Sequence, residues 1–256
     1  MSSMMRILLM RVWSTLEEVG IPPSLLQKTR TGVFVAAMKN FGGFASYPDE
    51  TALRSGLVSG LSDRIAYFLG THGPTLTVET ACSSSLVALT MAVNSIRDGS
   101  CDVAIVASSN FGSEEYELAL QATGVISREG QCRPFDEDAS GTLRCECSVC
   151  MVVCSMDWAK RYGYSGTIKS VIVNSTVGTC IEGACRLYLN QLSHPTRFAL
   201  VTSPGSAGAD RNAVQGSGRI YEAPNVLGMV EMIRLCHDQV GLPMEKISYV
   251  EAHGMC

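Results

Sequence analysis

The chain has 256 residues, of which 46% are apolar and 17% charged, with a net charge of −4 at neutral pH. That balance supports a sizeable buried core and excludes a disordered chain. It also argues against nucleic acid or an anionic membrane surface as the main partner, and the apolar runs are shorter than the roughly 18 residues of a spanning helix.

Residues Met1 to Val12 are apolar around Arg6 and Arg11, and run on into Trp13-Ser-Thr-Leu-Glu-Glu without a small-residue cleavage site. They read as an amphipathic helix rather than an export signal. Its inward face is expected to carry Ile7, Leu8, Val12, Leu16 and Val19, with Gly20 as the stop. There are eleven cysteines, an odd number without framework spacing. With no export signal, they are expected to be reduced thiols in a reducing compartment, the cytoplasm or, as an alternative, a plastid.

Further along, Gly20-Ile-Pro-Pro-Ser is a turn and Thr31 to Ala36 a buried strand. Asn40 to Ser46 is a Gly- and Phe-rich loop, and Ser59 to Leu69 is helical; His72 lies in the turn before Gly73-Pro74 and reads as solvated or hydrogen-bonded. An extended run, Thr75 to Glu79, precedes Thr80-Ala81-Cys82-Ser83, and a helix is predicted from Ser84 to Asp98 with Gly99 as its stop. Asp102 to Ser108 reads as a strand buried on both faces, and Ser113 to Ala122 as a short helix. Strand, helix, strand in this order predicts a layered α/β fold.

Cys132-Arg-Pro-Phe-Asp136 is expected to brace a loop, and Ser148 to Cys154 to form a buried strand. Cys145, Cys147, Cys150 and Cys154 raise the question of a metal. Their spacing is not a two-knuckle zinc pattern, and 145/147 point opposite to 150/154 on a regular strand, so no metal site is expected. Gly166 to Asn174 is a further strand. Residues 180–222, rich in Gly and Ser and holding His194, read as a surface insertion. Val226 to Val240 is a helix carrying His237 as a surface or packing residue, and Ile247 to Glu251 leads to Ala252-His253-Gly254.

The chemistry concentrates at Cys82. A thiol on a strand-to-helix turn faces unpaired N–H groups and the positive end of the helix dipole, which favour a thiolate and can hold a developing oxyanion. Small Ala81, Ser83, Ser84 and Ser85 are expected to let a substrate approach. Most free cysteines are merely small buried hydrophobes, and the turn alone leaves that reading open. Glu79-Thr-Ala-Cys-Ser-Ser-Ser-Leu-Val-Ala-Leu89, however, closely resembles the active-site segment of the β-ketoacyl synthases, the ketosynthase domains of polyketide and fatty-acid synthases. Members usually carry Asp where this chain has Glu79. Thr31-Gly-Val-Phe-Val35, Asp63 to Leu69, Cys132 to Asp136 and Tyr249-Val-Glu-Ala-His-Gly254 resemble family segments in the same order.

The resemblance implies a thiolase-like layered αβαβα fold, present in part as the N-terminal half and the start of the second. Residues 1–256 would form a partial ketosynthase domain, with the insertion at 180–222. It implies Cys82 as nucleophile and His253 as the first catalytic histidine, supporting decarboxylation and the enolate. It implies no bound cofactor: acyl groups arrive on the phosphopantetheine of an acyl carrier protein or on coenzyme A, and a malonyl carrier condenses with the acyl-cysteine. Partners would be an acyl carrier protein and a second copy, paired through the strand Thr75–Glu79. The family's second histidine, in a Gly-Asn-Ile-Gly-His segment, has no counterpart here, so a fragment of a larger synthase is expected. The alternative is a catalytically incomplete ketosynthase-like protein that binds carriers or dimerises without condensing. One departure stands out: Cys145 and Cys147 replace two glycines of an Arg-Gly-Glu-Gly segment, where a Cβ is expected to strain the backbone.

Overall fold

The structure is a computed structural model and describes residues 3–38, 58, 60–112, 114–123, 126–164, 174–175, 183–184, 201–202, 234 and 251–252. Two compact units divide the chain, one of residues 1–163 with 254–256, the other of residues 164–253.

In the first unit the long opening helix α1 (Ser3–Val19) is followed by a single turn of helix, α2 (Pro23–Leu26). Strand β1 (Thr31–Ala37), helix α3 (Gly60–Leu69) and strand β2 (Thr75–Val78) come next. Helix α4 (Ser84–Arg97), strand β3 (Val103–Asn110), helix α5 (Glu114–Thr123), strand β4 (Cys147–Cys154) and helix α6 (Met156–Arg161) complete the unit. The predicted elements from α1 to β4 are present within two residues at each end; α2 and α6 went unread, being too short to show a period.

The sheet order is β2-β1-β3-β4, with β1 parallel to β2 and β3, and β4 antiparallel to β3. Since β1 lies between β2 and β3, the two crossovers run in opposite directions. Right-handed crossover then puts α3 and α4 on opposite faces. α1 shares the α3 face, as the edge-on contact of Trp13 with Phe68 at 5.9 Å requires. All seven residues of β1 are buried, as a strand covered on both faces must be. Gly73 lets the turn before β2 pass under β1: a Cβ there would sit 2.4 Å from the Thr31 carbonyl oxygen.

Two sequence expectations about faces, for α1 and β4, need correction. The inward stripe of α1 is Met5, Leu8, Val12 and Leu16, whereas Ile7 and Val19 are exposed. Ile7 lies one residue, about 100°, off the stripe, and Val19 sits on the last turn. On α4 the buried set is Ser84, Ala88, Leu89 and Ala92. Small side chains four apart let the helix lie close over β1 and β3, while Leu86, Val87, Val93 and Ile96 are only half-buried. Finally, β4 is not buried on both faces: Cys147, Val149 and Met151 are exposed, and Ser148, Cys150 and Val152 are half-buried under α1. α1 covers one face of this edge strand, and α4, centred on β1 and β3, leaves much of the other open.

The ion pair of Arg30 with Asp102 ties the starts of β1 and β3 together, with Nη2–Oδ1 at 2.8 Å and the Arg30 backbone N–H donating to Oδ2 at 3.1 Å. The Arg30 hydrogen bond holds the Asp102 carboxyl below its ordinary value.

In the second unit, β5 (Asn174–Ser175) pairs antiparallel with β6 (Gly183–Ala184), and β7 (Val201–Thr202) pairs parallel with β8 (Glu251–Ala252). Residues 183–184 and 201–202, inside the segment read as an insertion, thus each hold a strand position. The rest of that segment, the loop 40–46, His194 and His237 lie outside the described residues, as do most of the strand expected at 166–174 and of the helix expected at 226–240.

Candidate active site

β2 ends at Val78, and six residues later the chain is helical, so the turn carrying Cys82 stands at the carboxyl end of a parallel strand. That is where open α/β sheets place their ligand sites. The reversal is tight enough to force Ala81 to φ +52°, one of only two non-glycine residues with positive φ among the described residues. An L-residue there costs about 1 kcal/mol or more.

Two buried serines hold the strained turn. Ser84 Oγ accepts from the Thr80 N–H at 2.8 Å and donates to the Ala81 carbonyl at 2.7 Å. Ser83 Oγ donates to the Thr80 carbonyl at 2.8 Å. Both serines are buried and Ser85 is exposed. Ser83 and Ser84 therefore do not clear a path for substrate, as their size suggested; they staple the turn with three bonds, each contributing about 1 kcal/mol net. The staple turns Cys82 outward, and its residue is exposed. Helix α4 behind it is fourteen residues long and ends at Arg97, with Asp98 as its C-cap and Gly99 following at φ +78°. Its first-turn N–H groups point toward the Cys82 end of the helix.

The other described thiols differ. Burial pushes Cys101 up to about 11 from its ordinary 9.0, and pushes Cys150, under Thr15 of α1, to about 11 as well. These two stay protonated and enclosed at neutral pH. Cys132, Cys145 and Cys147 are exposed, as Cys82 is, but none of them stands at the head of a helix. Among the described residues, no group of three His, Cys, Asp or Glu could hold a metal ion.

A second cluster, unread from the sequence, stands at the carboxyl end of β3. Arg144 reaches in from the loop before β4, only 16% exposed. Its Nη1 donates to Glu117 Oε1 at 2.5 Å and its Nη2 to Asn110 Oδ1 at 2.7 Å, and its guanidinium lies 4.8 Å from the centre of the Tyr116 ring. Asn110 Nδ2 returns a bond to the Cys145 carbonyl at 3.3 Å, and Glu146 Oε1 accepts from the Gly112 N–H at 3.2 Å. Burial pushes the Tyr116 phenol above its ordinary value; Arg144 pulls it back, and Cys82 and Glu79 push it up further. The sequence signal for this cluster was Arg144 itself, the arginine of the segment that resembles Arg-Gly-Glu-Gly.

The same loop overturns the expected strain at the replaced glycines. Neither Cys145 nor Cys147 has a positive φ. Arg144 and Glu146 bond to Asn110 and Gly112 at and just after the end of β3, and both cysteines are exposed. The Cys132–Asp136 segment braces its loop as expected: Arg133 binds Gln131 Oε1 at 2.6 Å and the Asp138 carbonyl at 3.2 Å, and pairs with Glu129. Exposed His72 takes no part. β8 ends immediately before His253, which lies outside the described residues.

A family model described as "Beta-ketoacyl synthase, N-terminal domain" matches residues 1–159. A phenolphthiocerol/phthiocerol polyketide synthase of Mycobacterium tuberculosis is 32% identical over 260 residues, covering 99% of this chain and 12% of the relative. Polyketide synthase ThaG of Burkholderia thailandensis is 32% identical over 259 residues, 100% of this chain and 4% of the relative. Among solved structures, the oxazolomycin ketosynthase domain OzmH KS7 of Streptomyces albus JA3453 superposes with a TM-score of 0.60 at 32% identity, over 70% of this chain and 33% of that one. The ketosynthase from module 1 of the bacillaene synthase of Bacillus amyloliquefaciens FZB42 reaches a TM-score of 0.69 over 99% of this chain and 38% of its own, at 24% identity, a likeness of fold alone. The α/β fold is thus of the thiolase-like ketosynthase kind, and the chain spans a small part of its curated relatives and about a third of the solved domains. The match over residues 1–159 includes the stapled Cys82 turn, and by it the chain belongs to the β-ketoacyl synthase family.

Proposed function

We propose that this chain is the acyl-accepting part of a ketosynthase of a polyketide synthase. The carrying observation is the exposed Cys82 held at the head of α4 by the Ser83–Ser84 staple. Cys82 attacks the carbonyl carbon of an acyl thioester. A C–S bond forms to Cys82, the bond to the carrier sulfur breaks, and the carrier thiol leaves with the proton. The first-turn N–H groups of α4 stabilise the oxyanion formed on the way. The acyl group arrives on the phosphopantetheine of an acyl carrier protein or on coenzyme A. His253 is the second catalytic group: an imidazole N–H donating to the thioester oxygen of a malonyl carrier as carbon dioxide leaves, so that the enolate can attack the acyl-cysteine. The support for that role is the resemblance of Tyr249 to Gly254 to the family segment that carries the first histidine.

Pairing of two copies through β2 belongs to the same reading. β2 is the terminal strand of the described sheet, with Leu76 exposed along it, and an uncovered edge of this kind is a template for a partner strand.

The test is acylation. Incubated with an acyl thioester near neutral pH, the protein gains one acyl mass, located by peptide mapping on Cys82 and absent from Cys82→Ser. Label on other cysteines, or label persisting in that variant, would overturn the reading. His253→Ala should retain acylation and lose release of carbon dioxide from a malonyl carrier in the full-length synthase.

A further inference from the structure

We infer that Arg144 is a positioning residue of the Cys82 site, fixing the side of Tyr116 as a wall for the chain attached to Cys82. Arg144 holds α5 in two ways, an ion pair to Glu117 and a cation–π contact with Tyr116 in the adjacent position, and ties both to the end of β3 by a bond to Asn110. Glu117 and Tyr116 are consecutive, so one planar guanidinium grips two neighbouring side chains of the same helical turn. A lysine ammonium, a point charge without a fork or a plane, cannot do both.

β3 and β2 flank β1 in the sheet, and α5 follows β3 whereas Cys82 follows β2. Both therefore stand at the carboxyl ends of the parallel strands, where Tyr116 is half-buried. β2 and β3 are two strand spacings apart, roughly 10 Å, so the turn after β2 and the helix after β3 border the same end of the sheet. A half-buried aromatic ring with a cation on its face is a rigid apolar surface, suited to the methylenes of an acyl chain rather than to the thioester. Arg144 itself does not touch the reacting atoms; it acts through Tyr116. The acyl-chain assignment rests on the ketosynthase reading, whereas the wall itself does not.

The test is a double-mutant cycle on the full chain, with Arg144→Gln, Arg144→Lys, Tyr116→Ala and the Arg144→Gln/Tyr116→Ala double variant. The readout is the ratio of Cys82 modification rates by a long-chain and a short alkylating reagent, N-octyl iodoacetamide and iodoacetamide. Arg144→Gln should change that ratio by roughly tenfold, Arg144→Lys by nearly as much, and Arg144→Gln in the Tyr116→Ala background by less than about twofold. A purely structural role would move both rates together and leave the ratio constant; that result, or equal effects in both backgrounds, overturns the inference. The same cycle is then run with octanoyl and acetyl thioesters. Coupling with the alkylating pair but no acyl label on the wild type would sink the ketosynthase reading and leave the wall standing. Acyl label on the wild type without coupling would do the reverse.

Discussion

The turn at 78–86 and the strand at 147–154 treat the same side chain in opposite ways. In the turn, Cys82 is exposed, the backbone beside it is strained at Ala81, and the surrounding hydroxyls are spent on holding that shape. On β4, Cys150 sits under α1 in relaxed extended backbone with its thiol pushed up to about 11. The difference shows that a thiol becomes available for chemistry through the shape of the chain around it. An elbow at a helix head lifts the side chain clear of the packing that a strand imposes.

The largest expected effect that would break the comparison is in reactivity. Iodoacetamide at pH 7.5 should alkylate Cys82 roughly 100-fold faster than Cys101, whose modification waits for local opening. Equal rates, read by peptide mass mapping over time, would mean that the fold does not distinguish the two thiols.

Ser84→Ala sharpens the same point from the side of the turn. It leaves the part-buried Thr80 N–H without its Ser84 partner and should cost about 1 kcal/mol, read as a shift in the urea midpoint. It should also alter Cys82 alkylation more than Cys132 alkylation, because only the former depends on the staple. An unchanged midpoint would show that the staple contributes nothing.

The buried thiols predict a pH dependence. Below pH 9.0, folded and unfolded chains both hold the Cys101 and Cys150 protons, and stability does not depend on them. Above that, the unfolded chain releases them while the folded chain keeps them until about 11, so stability should fall as pH rises across this window. Urea midpoints at pH 8 and 10.5 test this, and the Cys101→Ala/Cys150→Ala double variant should show a flatter decline. A decline of the same steepness in that variant would assign it elsewhere.

The smallest effect concerns Ala81. Ala81→Gly removes the positive-φ penalty and adds unfolded-state entropy, so it should be neutral to stabilising by about 1 kcal/mol at most. Ala88→Gly, in the buried middle of α4, should instead destabilise by about 1 kcal/mol. The contrast between them, measured by thermal or denaturant unfolding, isolates the elbow from the helix behind it.

Much of this was legible beforehand because it is local. The run Thr75–Val78, the helix from Ser84 and the stop at Gly99 follow from residue type and period, and those three place Cys82 at a helix head without further information. Side assignments fared worse. Which residues of α1 and α4 face inward depends on what covers them, and a stripe of small residues, Ser84, Ala88 and Ala92, carries almost no hydropathy signal although it sets how closely α4 lies on the sheet. The roles of Ser83 and Ser84 were misread for a related reason: a hydroxyl looks the same in sequence whether it lines a path or ties a turn.

Arg144 and Tyr116 mark the boundary most clearly. Twenty-eight positions separate them, nothing in the motif around Arg144 points to Tyr116, and only the folding of α5 and the 141–146 loop over the end of β3 brings the guanidinium 4.8 Å from the ring. The primary structure by itself determined the family, the α/β order and the place of Cys82 at a helix head, because each is written in contiguous residues. The tertiary structure alone decided which face each element buries, what holds the elbow, and which distant side chains meet at the end of β3, because those depend on surfaces that exist only once the strands have assembled.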